Sequence, residues 1–256
     1  AEYRPAPGDF GRWLHDHPGF NPAKELDLRN AKTHVLQFAL AGLEHKDKAA
    51  HRRVLWTLAA FRMPATWDTL CALLIGKGKN KACRDQRALA ALLAELEDRG
   101  LVGWDRAANR YDLHPIVRGV VWSALNGAAR RGVYTQLHAH FEAAPRGQEV
   151  SSLEDLTPAI ELYQTLIGLG RFDDAFSVFY DRLEDATLYR LSASRQRVEL
   201  LEQLFPAGIG QAPQLFAPND QAYTLNALAI AYHLSGQPER AAPLFRSNIK
   251  IRSRMK

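Results

Sequence analysis

The sequence predicts a mainly α protein of two modules, one with three helices and a short β-hairpin, the other of stacked helix pairs. Three observations carry this expectation. Helix-like segments over residues 52–99 give way to two strand-like pieces, LVGW and RYDL, joined by DRAAN. Beyond Leu125 the pattern is helical throughout. Within that stretch, LGRFDDAFSVF and LSGQPERAAPLF align with Gly170 over Gly236, Ala175 over Ala241 and Phe179 over Phe245, an offset of 66 residues. The offset matches two units of ~33–34 residues, a period of helical repeats.

Along the chain, the opening through Pro22 mixes Pro, Gly and aromatics and reads as an irregular linker. Leu28, Val35, Leu36, Ala39, Leu40 and Leu43 then space an amphipathic helix over Asp27–Leu43, followed by the charged patch EHKDK. Arg52–Phe61 reads as a helix ended by Met63-Pro64, and Thr66 is a natural N-cap for the next, TWDTLCALLI, which stops at Gly76. The polar loop GKGKNKACRD leads to a third helix, about Asp85 to Arg99, with Gly100 in the capping position. After the hairpin comes a helix from Ile116 to Leu125. The expected domains are 1–48, a linker and helical segment; 49–128, helices plus hairpin; and 129–256, helical repeats. Three helices followed by a hairpin resemble a winged helix.

In the repeats, Leu225, Leu228, Ala229 and Tyr232 fill the other helix-pair positions of the second copy. Small Ala lets two helices approach, while Tyr and Phe fill the groove to the next pair. This resembles a tetratricopeptide (TPR) repeat with a degenerate middle unit, roughly Tyr189 to Gln214. Asn248, where a small Ala is usual, and Tyr163, where Gly or Ala is preferred, depart from that pattern.

Composition narrows the function classes. With 46% hydrophobic and 24% charged residues the chain reads as soluble and globular. No apolar run reaches the ~18 residues of a membrane span and no signal peptide is present, so a cytoplasmic protein without membrane contact is expected. Cys71 and Cys83, the only cysteines, form no CxxC and fit reduced core thiols. The missing initiator Met and the abrupt SNIKIRSRMK ending suggest a fragment of a longer protein. Residues 1–150 hold 22 Lys/Arg against 16 Asp/Glu, a surplus of six; residues 151–256 hold 11 against 12. Eight of nine histidines also lie in the first part, again pointing to two modules.

The residue that draws functional interest is His114, in NRYDLHPIVRGVVWSAL. The strand Arg110–Leu113 delivers it, and Pro115 suits the first position of the following helix. Proline also pushes His114 into an extended conformation. The imidazole should therefore project at a helix N-terminus, with a neutral ring offering one N–H to an anion. On residues alone, a purely structural cap is the competing reading.

The stretch LAALLAELEDRGLVGWDRAANRYDLHPIVRGVVW resembles the winged-helix domain of STAND-type signalling NTPases, the group of the NB-ARC proteins. Leu113-His114-Pro115 and Arg118 stand where that family has its hydrophobic-His-Asp/Pro motif and a following basic residue. The likeness covers roughly Arg52 to Leu125, and a helical-repeat arm commonly follows. The resemblance implies that His114 contacts the β-phosphate of ADP in a closed, resting state. It implies ADP/ATP as the parent protein's cofactor and, as partners, a nucleotide-binding domain of the same polypeptide and a protein or peptide trigger on the repeats.

No GxxxxGK[ST] occurs, so the nucleotide-binding domain is not among these 256 residues, and the chain itself is expected to hold no cofactor. IGKGKNKAC has the wrong glycine spacing and links two helices, which makes it a solvated loop. The alternative is a winged-helix DNA-binding regulator with a helical ligand-sensing domain, using Lys77, Lys79, Lys81, Arg84 and Arg87. It is disfavoured because the third helix turns to Ala and Leu, then to Glu95, Glu97 and Asp98, whose charge opposes phosphate. His15/His17 and His138/His140 lack partner ligands for zinc. Trp56, Trp67, Trp104 and Trp122 are read as core or domain-contact residues. No catalytic motif appears, and the chain is expected not to be an enzyme.

Overall fold

The computed structural model describes residues 48–78, 80–145 and 150–255. The helix expected over Asp27–Leu43, the His15/His17 pair and Lys79 lie outside them. Among the described residues the chain is mainly helical, with one three-stranded antiparallel sheet. It divides into two compact units, one ending at Arg130 and the other beginning at Arg131. No helix among the described residues is long and apolar enough to cross a membrane.

In the first unit, α1 (Ala49–Ala60) buries Val54, Leu55 and Leu58 and stops where Phe61 turns extended, three residues before Pro64. A two-residue strand, β1 (Ala65–Thr66), follows. Thr66 then caps α2 (Trp67–Leu74), its hydroxyl accepting the Thr69 amide at 3.2 Å. Asp85 caps α3 (Gln86–Asp98) in the same way through Ala88 N–H at 2.8 Å. Leu89, Leu93 and Leu96, spaced three and four apart, make the buried stripe of α3. Gly100, at φ +69°, lets the chain leave that helix.

The hairpin is β2 (Gly103–Asp105) and β3 (Arg110–Asp112), with Trp104 opposite Tyr111. β1 pairs with the other side of β3, so the sheet order is β1-β3-β2. The sequence reading had only the hairpin, because two residues are too few to show alternation. Next comes α4 (Pro115–Ala124), which packs on α1 and buries Val117 and Val121.

The remaining described elements are helical. They are α5 (Gly127–Glu142), α6 (Thr157–Gly168), α7 (Phe172–Val178), α8 (Ser194–Glu202), α9 (Pro218–Leu234) and α10 (Pro238–Arg254). The helix begun by α7 continues as π turns over Phe179–Leu183 and Ala186–Arg190. Gly170 (φ +74°) and Gly236 (φ +79°) turn the chain inside the pairs α6/α7 and α9/α10. Ala175 and Ala241 are both buried, as are Leu225, Leu228, Ala229 and Tyr232. Between the pairs only α8 is helical in the 189–214 stretch apart from the last π residues. Tyr163 is fully buried and donates its hydroxyl to the Leu200 carbonyl at 2.6 Å, which explains a bulky residue at that position.

Candidate functional site

His114 is the residue where β3 hands over to α4. Leu113 before it is buried, anchoring the strand end, while the ring itself is exposed. Its backbone is extended at φ −53°, ψ 139°, as the following proline requires. Nδ1 accepts the Ile116 N–H at 3.3 Å, closing the first turn of α4. A neutral ring whose Nδ1 is an acceptor carries its hydrogen on Nε2, which has no partner among the described residues.

The surrounding groups hold this joint in place. The His114 carbonyl accepts Arg118 N–H at 3.0 Å. The Arg118 guanidinium donates to Asp112 Oδ1, which also receives Leu113 N–H at 2.8 Å. Arg118 Nη1 is buried with no hydrogen-bond partner. Pro115 has no amide hydrogen and Ile116 spends its own on the ring. Of the first three helix residues only Val117 keeps a free amide, so an anion here would meet that N–H, the His114 Nε2–H and the helix dipole. The arrangement can contribute to an anion pocket; it does not form one.

The basic residues lie on other elements. Lys77 and Arg84 are exposed on the α2–α3 loop and Arg87 is exposed in the first turn of α3. Lys81 is half-buried, its ammonium donating to the Ala72 carbonyl at 2.8 Å at the end of α2. The solvent face of α3 beyond Arg87 is Ala90, Ala91 and Ala94. Two of its three acidic residues are balanced: Glu95 meets Lys48 (2.8 Å), His51 (2.6 Å) and Arg99 (2.7 Å), and Glu97 meets Arg106 at 3.1 Å, while Asp98 is exposed with no ion pair among the described residues. Repulsion of phosphate is thus weaker than the bare sequence implies.

Of the four described tryptophans, none is fully buried. Trp104 stacks on Tyr111 at 5.7 Å under Arg106, and Trp67 leans on Tyr111 at 6.2 Å. Arg53 lies over Trp56 and Arg130 over Trp122. Cys71 and Cys83 are free, half-buried thiols with pKa values pushed up by desolvation. Among the described residues, no group of three or more His, Cys, Asp or Glu could hold a metal.

Two polar features of the helical unit were not foreseen. A cleft of about 270 Å³ is lined by α5, α6 and α7. In it Arg171 joins Asp174 (2.6 Å) to His138 (3.1 Å), and Arg182 faces Glu142 at 3.6 Å. The second is Arg197, only 1% exposed, held by Glu184 at 2.6 Å and by the Glu184 carbonyl at 3.2 Å. Burial and the Glu184 carboxylate push the Tyr223 phenol upward beside this pair. Each joins residues from different helices, so no local sequence pattern announces it. No family model, curated protein or solved structure matches this chain.

Proposed function

We propose that this chain is the non-catalytic regulatory and sensor part of a STAND-type signalling NTPase. The first unit is a winged helix that packs on a nucleotide-binding domain of the same polypeptide. The second is a TPR-like arm that binds a protein or peptide trigger. The order helix–strand–helix–helix–strand–strand, with the last strand central in the sheet, supports the winged-helix reading. Paired helices turning at Gly170 and Gly236 support the arm.

The observation that carries the nucleotide reading is the exposed His114, its Nδ1 tied to the helix and its Nε2 without a partner among the described residues. Bound ADP supplies the anion; this chain supplies one oriented donor, while the rest of the pocket belongs to the nucleotide-binding domain. A trigger opens the protein only by favouring the open state over the closed one. The DNA-binding reading gains Gln86 and Arg87 on α3, but the alanine face beyond them offers no donor or acceptor to a base edge.

The test uses the full-length protein. His114→Ala should weaken ADP retention by about 1–3 kcal/mol, a factor of roughly 5–150. His114→Asp keeps an acceptor for the Ile116 amide and should fold as well as wild type, yet it should lose ADP through charge repulsion. A full-length protein that holds no nucleotide, or holds it equally in all three forms, removes this function.

A further inference from the structure

The helical unit contains its own precedent for covering the apolar side of a second helix. Phe179 on α7's continuation is 0% exposed. Tyr163 of α6 packs against it at 6.4 Å, and the Arg197 guanidinium of α8 lies 5.2 Å over the ring. Arg197 is fixed there by Glu184, a carboxylate on the same helix as Phe179. An aromatic ring beside an acidic residue thus receives a helix carrying a cation.

In the second copy the aligned aromatic residue is Phe245. Phe245 is 36% exposed, and Ile249, one turn on, is 68% exposed. Ala241, Leu244 and Asn248 are the buried residues of α10, the helix packed on α9. Around the exposed pair the charges have the opposite sign to those on α7. Arg246 and Lys250, each following one of the pair in sequence, are exposed, and among the described residues they make no ion pair. The single acidic residue of α10 is Glu239, in its first turn.

We infer that this face of α10 is a docking surface for an amphipathic helix whose apolar stripe is flanked by carboxylates. Residues at i and i+4 on one helix accept an i, i+3/4, i+7 stripe from another. As with Arg197 over Phe179 and against Glu184, charge on one helix would meet opposite charge beside an aromatic ring on the other, here with the signs exchanged between the partners. Complementary charge at the rim favours encounter with an acidic partner and disfavours a basic one.

Two other occupants fit less well. A basic amphipathic face also suits an anionic lipid surface, but Phe245 and Ile249 give such a surface only a narrow stripe to bury. A second copy pairing face to face across a two-fold axis would bring like charges together. The inference rests on the helical unit alone, so it stands or falls independently of the nucleotide reading.

The experiment titrates the chain with a labelled synthetic peptide of about 18 residues, long enough to form a helix. It has Leu at i, i+3/4 and i+7 with Glu flanks, and its control carries Lys in place of Glu. The Glu peptide should bind on the order of tenfold more tightly than the Lys peptide. Ile249→Asp, at an exposed position, should weaken it on the order of tenfold with the circular-dichroism melting curve unchanged. Arg246→Glu with Lys250→Glu should reverse the preference. Equal affinity for the two peptides, or indifference to Ile249→Asp, overturns the inference. So does an Ile249-dependent dimer, or Ile249-dependent binding to phosphatidylserine vesicles, in a chain that ignores the Glu peptide.

Discussion

His114 Nδ1 completes a helix turn by accepting the Ile116 N–H, while Nε2 has no partner among the described residues. The extended backbone of His114 and the start of α4 were readable in advance from Pro115, whereas capping by the ring stands in the sequence only as the reading that competes with an outward donor. Glu95 is the opposite case. Its carboxyl is pulled down to about 2, first by the hydrogen bond from Lys48, then by His51 and Arg99. Lys48 and His51 lie more than 40 residues away in sequence, and no spacing links them to α3. A depressed carboxyl stabilises the fold fully above its unfolded value of ~4.3, and that support is lost as pH falls toward 2. Glu95→Gln should therefore lower the urea midpoint at pH 7, with the gap to wild type closing between pH 4 and 2. A gap that persists at pH 2 would show that the carboxylate's charge is not what holds α1 to α3.

At the scale of elements, caps and glycine turns were legible and close packing was not. Thr66, Gly100, Gly170 and Gly236 announce helix ends by residue type, and each stands where such a residue is needed. β1 left no trace, since its two residues are defined by pairing with β3 rather than by their own pattern. Gly168 was equally silent: a Cβ there would lie 2.3 Å from the Tyr134 ring of α5. Gly168→Ala should cost about 1–3 kcal/mol through overpacking. Gly170→Ala meets no atom within 4 Å and should cost about 1–2 kcal/mol, from its left-handed backbone alone. Combining Gly168→Ala with Tyr134→Ala removes the clash and should recover part of the first loss, but the same tyrosine change cannot rescue Gly170→Ala. Equal rescue of both in urea unfolding would refute the distinction.

For the whole molecule, charge is the property most easily misread. The chain carries +5 overall, with the surplus in its first 150 residues. That supports weak attraction to any polyanion, while the alanine face of α3 supplies nothing to read a sequence. Affinity for duplex DNA should fall steeply with salt and be the same for unrelated duplexes in competition titrations. A strong preference for one duplex would favour the DNA-binding regulator instead. The division into two units could be anticipated because the pattern changes from strand and helix to helix alone. What lies between the repeat pairs could not, because the π turns in the helix begun by α7 have no compositional signature. Those wide turns, with i→i+5 bonds such as Leu191 N–H to Ala186 O at 2.9 Å, take up more residues per turn than an α-helix does. Past Phe179 the two copies are therefore out of phase about their helix axes. Transplanting residues 180–188 in place of 246–254 would deliver the side chains at a different azimuth, so the two helix pairs are not interchangeable beyond that ring.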